Sequence, residues 1–214
     1  LILLWRYLCS LLDFGAIITG VVSIIIPVMV TGGIHIDGFC DVIDAKSSFG
    51  DREKKLSIMS DAHIGSFAAI YLAVYLLLQT AVYSEIRDMK TVAVTALGFV
   101  LSRSLSGIGA VCFKSAKNDG TLQSFVKPAH RKITLSALII IAVITAFFMA
   151  YSSLMSGVFV TVGALCSFLF YRFSAYKNFG GITGDTAGWF LQICELATAV
   201  MALVGEKILG VILI

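Results

Sequence analysis

Six stretches of this chain are long and apolar enough to cross a lipid bilayer, and that leaves few folds open to it. A spanning helix needs about 17–25 mostly apolar residues. Residues 14–30, 64–82, 91–113, 133–151, 157–172 and 188–204 meet or approach that need, the fifth only with help from its flanks. The runs are continuous rather than alternating, which fits helices among lipid and other helices and argues against an outer-membrane barrel. The expected fold class is therefore all-α, a polytopic transmembrane helix bundle of about six spans, read as one integral-membrane domain over residues 1–214. Residues 1–12 are apolar but short and carry Arg6, so they read as the end of a truncated helix or an interfacial segment. The start at Leu1 rather than methionine reads as a fragment, truncated at its N-terminus, or as a processed gene model.

Composition agrees. Hydrophobic residues make up 58% of the chain and charged ones 14%, against roughly 45–50% and about 25% in soluble domains. The net charge of +3 is too small to point to nucleic acid. The five cysteines (Cys9, Cys40, Cys112, Cys166 and Cys194) form no CxxC pair and no disulfide framework; thiols in apolar runs behave as small hydrophobes.

Lys and Arg set the orientation. Segments 31–63, 114–132 and 172–187 hold eleven of them: Lys46, Arg52, Lys54, Lys55, Lys114, Lys117, Lys127, Arg131, Lys132, Arg172 and Lys177. The opposite side holds three, Arg87, Lys90 and Lys207. The cation-rich segments are expected to face the cytoplasm, with the chain in the cell membrane. Arg6 and Arg103 are left inside apolar segments.

The side chains able to do chemistry lie mainly in those segments. In the stretch from Thr31 to Asp44 (TGGIHIDGFCDVID), Asp37, Asp41 and Asp44 are spaced four and three apart and share one helical face. Three carboxylates on one face repel unless a cation neutralises them, and carboxylate oxygens suit Mg²⁺ or Ca²⁺. The alternative is an acidic solvated face with Asp as helix caps. His35 falls off the carboxylate face; it reads as a general acid or base, or as a capping or packing residue. Gly32 and Gly33 permit close backbone approach. Arg52, Lys54 and Lys55 form either a solvated face or a site for phosphate or lipid headgroups. Asp61, at the mouth of the second span, caps it or serves as a further acidic ligand. The turn from Phe179 to Gly188, with Gly181 and Gly184, offers free N–H groups to an anion, and Asp185 within it is a candidate metal ligand. Glu195 lies inside the last span on the side of Asp185 and Gln192, where an intramembrane carboxylate is a functional signal; a structural pair with Arg103 is the alternative.

The chain resembles the adenosylcobinamide-GDP ribazoletransferase (cobalamin synthase) family. Thr31–Asp44 matches its TGGxHxDGxxDxxD signature, residues 51–67 (DREKKLSIMSDAHIGSF) continue the match, and it returns at Gly180–Asp185 (GGITGD) and Glu195. The resemblance implies a multi-span, Mg²⁺-dependent transferase that joins α-ribazole, or its 5′-phosphate, to adenosylcobinamide-GDP and releases GMP. Carried onto this sequence, it implies His35, Asp37, Asp41 and Asp44 as catalytic residues and Asp37, Asp41, Asp44 and Asp185 as metal ligands. Gly32, Gly33, Arg52, Asp61, Arg103, Gly181, Gly184 and Glu195 would bind substrate. The partners expected are the two substrates and membrane lipid, with a homo-oligomer left open and no nucleic acid. The sequence departs from the family at Ala45 and Lys46-Ser-Ser, where glycines are usual, and lacks the stretch resembling Phe-Leu-Thr-Arg-Ile-Pro that precedes the first long span. Two other classes compete with this reading. A CDP-alcohol phosphotransferase would want Ala-Arg after Asp-Gly-x-x, and here Asp41 follows Asp37-Gly-Phe-Cys. A secondary transporter would want an inverted repeat and mid-membrane acids.

Overall fold

The structure, a computed structural model, describes residues 1–116 and 130–212. Its helices are α1 (Ile2–Leu12), α2 (Ala16–Thr31), α3 (Ile34–Ser47), α4 (Arg52–Ile58), α5 (Ser66–Glu85), α6 (Met89–Cys112), α7 (Arg131–Ser152), α8 (Leu154–Phe179) and α9 (Gly184–Ile212). Helices α5 to α9 are each long and apolar enough to span. Helix α2 has 16 residues and passes the same test only together with α3, from which it is bent by 95°. Six spans result when that pair counts as one, as the hydropathy predicted. The fifth apolar run, weak on paper, belongs to a helix of 26 residues, because the polar stretch up to Phe179 prolongs it.

Helix α9 is the most buried of the spans and α7 the least. The former packs against α8, α3, α6 and α5, so it forms the axis of the bundle. One large core cluster draws on α3, α5, α6, α7, α8 and α9, with Tyr171 and Phe190 stacked at 4.8 Å within it.

The two ends of the bundle differ in chemistry. At one end, Lys114 and Ala116 exchange backbone hydrogen bonds with Ile182, both at 2.8 Å, tying the exit of α6 to the turn before α9. At the other end Arg6 of α1 is buried and donates to the carbonyls of Tyr83 and Ile86, and Glu206 accepts from the backbone N–H of Arg87. Arg6 thus pins α1 to the α5–α6 turn, which explains a charge in an apolar segment. The segments rich in Lys and Arg all sit at the first end; Lys117 and Lys127 fall outside the described residues.

Candidate active site

Two consecutive glycines make the site's geometry. Gly32 (φ 63°) and Gly33 (φ 80°) both occupy the left-handed region, which costs other residues about 1–2 kcal/mol each. The N–H groups of Gly32 and Gly33 return to Met29 and Val28, closing α2. The chain then leaves at nearly a right angle as α3. Asp37 and Asp41, one turn apart on α3, face a cleft of about 760 Å³ that is also lined by Gly32, Gly33, Asp61 and His63.

The start of α9 is pressed against α3. A Cβ on Gly38 would lie 2.8 Å from the carbonyl oxygen of Asp185, and one on Gly188 would lie 3.3 Å from the Cα of His35. Small residues at both positions let the backbones meet, so Asp185 stands beside the aspartates although it is far away in sequence. Thr183 caps α9 in a reciprocal pair with Thr186, whose N–H donates to Thr183 Oγ1 (3.1 Å) while Thr183 N–H donates to Thr186 Oγ1 (2.8 Å), and Thr183 Oγ1 donates to Asp185 Oδ2 at 3.4 Å. Burial, and then the charges of Asp37, Asp185 and Asp44, push the Asp41 carboxyl up to about 6. The same surroundings push the Cys40 thiol up to about 11, so it carries no thiolate near neutrality.

Asp44 has a structural duty. Its carboxylate accepts the N–H groups of Gly65 (2.6 Å) and Ala68 (2.9 Å), capping α5 from across the α3–α5 contact. Capping of the second span, placed on Asp61 by sequence position, therefore falls to Asp44. Asp61 instead accepts from His63, whose Nδ1 lies 2.7 Å away, and those hydrogen bonds hold its carboxyl below the usual range. Sequence reasoning did not single out His63; the Asp-Ala-His spacing ahead of a glycine was the available signal.

His35, Arg103 and Glu195 do not line the cleft. Opposite the carboxylate face of α3, His35 borders an internal cavity of about 20 Å³, room for a water, together with Tyr75, Gln79, Gln192, Arg103 and Glu195. Arg103 Nη1 donates to Glu195 Oε1 at 2.5 Å, so the two intramembrane charges satisfy each other. Tyr75 donates to Gln192 (2.7 Å) and accepts from Gln79 (2.8 Å). Burial and then Arg103 push the His35 imidazole below its usual range. Of the other candidates, Gly181 is buried against the backbone of residues 114–116, Gly184 is exposed and open, and Arg52 lies on Gly180 and donates to the carbonyl of Ala116 at 3.3 Å.

Among the described residues, no three His, Cys, Asp or Glu side chains form a ready-made metal cage. Two carboxylates a turn apart on an open cleft are nonetheless the donor set Mg²⁺ takes when substrate phosphates complete its shell. Asp37 and Asp41 fit that description with Asp185 behind them, whereas Asp44 has its oxygens engaged.

Residues 1–203 match the family described as cobalamin-5-phosphate synthase. The chain belongs to this family. It is 38% identical over 200 residues to the adenosylcobinamide-GDP ribazoletransferase of Lachnoclostridium phytofermentans, covering 93% of this chain and 76% of that one. It is 35% identical over 194 residues to the enzyme of the same name from Treponema denticola, covering 84% and 73%, and 31% identical over 185 residues to that from Listeria monocytogenes, covering 85% and 71%. No solved structure matches the chain. Family membership sets aside the CDP-alcohol phosphotransferase and transporter readings.

Proposed function

We propose that this protein transfers α-ribazole, or its 5′-phosphate, onto adenosylcobinamide-GDP and releases GMP. The observation that carries the reading is the pair Asp37 and Asp41 on one open cleft, with Asp185 of the packed α9 close behind them, at the cation-rich end of a membrane bundle of this family. A hydroxyl oxygen of the acceptor bonds to the cobinamide-side phosphorus, the bond from that phosphorus to the GMP oxygen breaks, and the hydroxyl proton passes to solvent water at the open cleft. Asp37, Asp41 and Asp185 would hold Mg²⁺ with the donor's diphosphate; bound there, the ion neutralises charge on the phosphate oxygens.

The rest follows from this chain's own side chains. The glycine elbow lets a bulky donor approach the carboxylates closely. Asp61 orients the His63 ring at the rim. His35 contacts the internal cavity, so its role is to position the elbow from behind. The Lys and Arg distribution supports a cell-membrane location with the cleft facing the cytoplasm, and the broad apolar exterior supports lipid as its surroundings. Purified protein given adenosylcobinamide-GDP, α-ribazole and Mg²⁺ is expected to form adenosylcobalamin and GMP in equal amounts. An intact donor after incubation with well-folded protein would refute the reading.

A further inference from the structure

Three basic side chains converge on the C-terminal end of α8 without an acid among them. Lys46, at the end of α3, donates from Nζ to Ser174 Oγ at 3.3 Å and sits 4.6 Å from the Trp189 ring centroid. Lys55 of α4 donates to Asn178 Oδ1 at 3.0 Å. Asn178 closes the chain by donating to the carbonyl of Ser174 at 2.9 Å. Arg52 lies one turn before Lys55 on the same face of α4, against Gly180. The ion pairs among the described residues are His63–Asp61, Arg103–Glu195 and Lys207–Glu85, so none of these three cations has a carboxylate within 4.0 Å.

A merely solvated basic face would spread its charges into water. Here two ammonium groups are drawn together through a neutral Ser–Asn bridge whose serine is buried, an arrangement that an anion would stabilise. A phosphate monoester carries about −1.5 to −2 charges and three acceptor oxygens, which suits several donors at once. Lys46 lies five residues beyond Asp41 on α3, about 8 Å along the axis, and its ammonium turns toward Ser174 of α8.

We propose that Lys46 and Lys55, bridged by Ser174 and Asn178 with Arg52 at the edge, form a subsite for the 5′-phosphate of a phosphorylated acceptor, separate from the aspartate cleft. The inference rests on the transferase reading above.

The test compares α-ribazole with α-ribazole 5′-phosphate as acceptors in neutral-lipid vesicles, for the wild type, Lys46→Gln, Lys55→Gln and Lys55→Arg, with Lys54→Gln as an exposed charge control on the same helix. The ratio of kcat/KM for the phosphorylated acceptor to that for the unphosphorylated one should fall at least tenfold in both glutamine variants, through KM. Lys55→Arg and Lys54→Gln should keep most of it. An unchanged ratio, or an equal loss for both acceptors, overturns the subsite. A defect that appears only in vesicles containing phosphatidylglycerol assigns the cluster to lipid headgroups and also overturns it. A folded wild type that transfers neither acceptor refutes the transferase reading and the subsite with it, whereas normal transfer with an unchanged ratio refutes the subsite alone.

Discussion

Replacing Asp41 with asparagine should raise stability and lower activity. In the metal-free protein the Asp41 carboxyl is pushed up to about 6 by burial and by Asp37, Asp185 and Asp44. The folded state therefore binds the proton more tightly than the unfolded chain does. Stability is greatest below the ordinary carboxylate range and declines as pH rises from about 4 to about 6, after which the full cost is present. The unscreened cost is about 3 kcal/mol; Asp41 is only partly buried, so solvent screening reduces it to about 1–2 kcal/mol. Asp41→Asn removes the charge at nearly constant shape. Thermal unfolding in detergent at pH 7.5 without Mg²⁺ should show the variant melting higher than the wild type by about 2–8 °C, and the gap should narrow to about a third of that at pH 4.5. Added Mg²⁺ should raise the wild-type midpoint and leave the variant nearly unmoved. Turnover should fall at least tenfold, about 1.4 kcal/mol in the barrier. A variant less stable than the wild type at pH 7.5, or one with full turnover, would refute the reasoning.

Other substitutions separate structure from chemistry. Asp44→Ala removes two charge-assisted hydrogen bonds that cap α5 and should cost about 2–4 kcal/mol of stability, read as a lowered denaturation midpoint; an unchanged midpoint would deny the cap. Asp185→Ser should lose at least tenfold in turnover with its melting point intact, since Thr183 and Thr186 do the capping; full activity would remove Asp185 from the ligand set. Glu195→Gln removes the buried carboxylate that pairs with the partly exposed Arg103 and should cost about 1–3 kcal/mol, with the Arg103→Leu, Glu195→Leu double variant recovering much of it; an unchanged midpoint in the single variant would deny the pair a structural role. Phe49→Cys in a cysteine-free background places a thiol on a residue 92% exposed at the cation-rich end; it should react with a membrane-impermeant maleimide only after cells are opened, and labelling of intact cells would invert the orientation.

The spans were legible because a helix in lipid satisfies its backbone internally and its apolar runs need no partner to declare themselves. The Asp37–Asp41 face was legible for the same local reason, a helical repeat. What escaped depends on contacts between distant residues. The right-angle elbow was visible as two glycines, but not its angle. That Asp44 would cap α5, and leave Asp61 to His63, depends on how closely α3 approaches the start of α5. That His35 falls off the carboxylate face follows from its spacing; that it meets Arg103 and Glu195 at a cavity depends on how α3, α6 and α9 pack. The nearness of Asp185 to α3 was anticipated from chemical need; the small residues Gly38 and Gly188 are what allow it. Lys46 stood out only as a departure from the family pattern, and its neighbours on α8 give it a setting the sequence did not show.

The most direct measurement is GMP release from adenosylcobinamide-GDP, followed in one vesicle preparation with and without α-ribazole, for the wild type and for an Asp37→Asn, Asp41→Asn double variant of confirmed fold. With Mg²⁺ present, the wild type should release GMP only when the acceptor is supplied, one for each adenosylcobalamin formed, and the double variant should release essentially none. Acceptor-dependent release that survives in the double variant would place the chemistry away from the Asp37–Asp41 cleft and contradict the account.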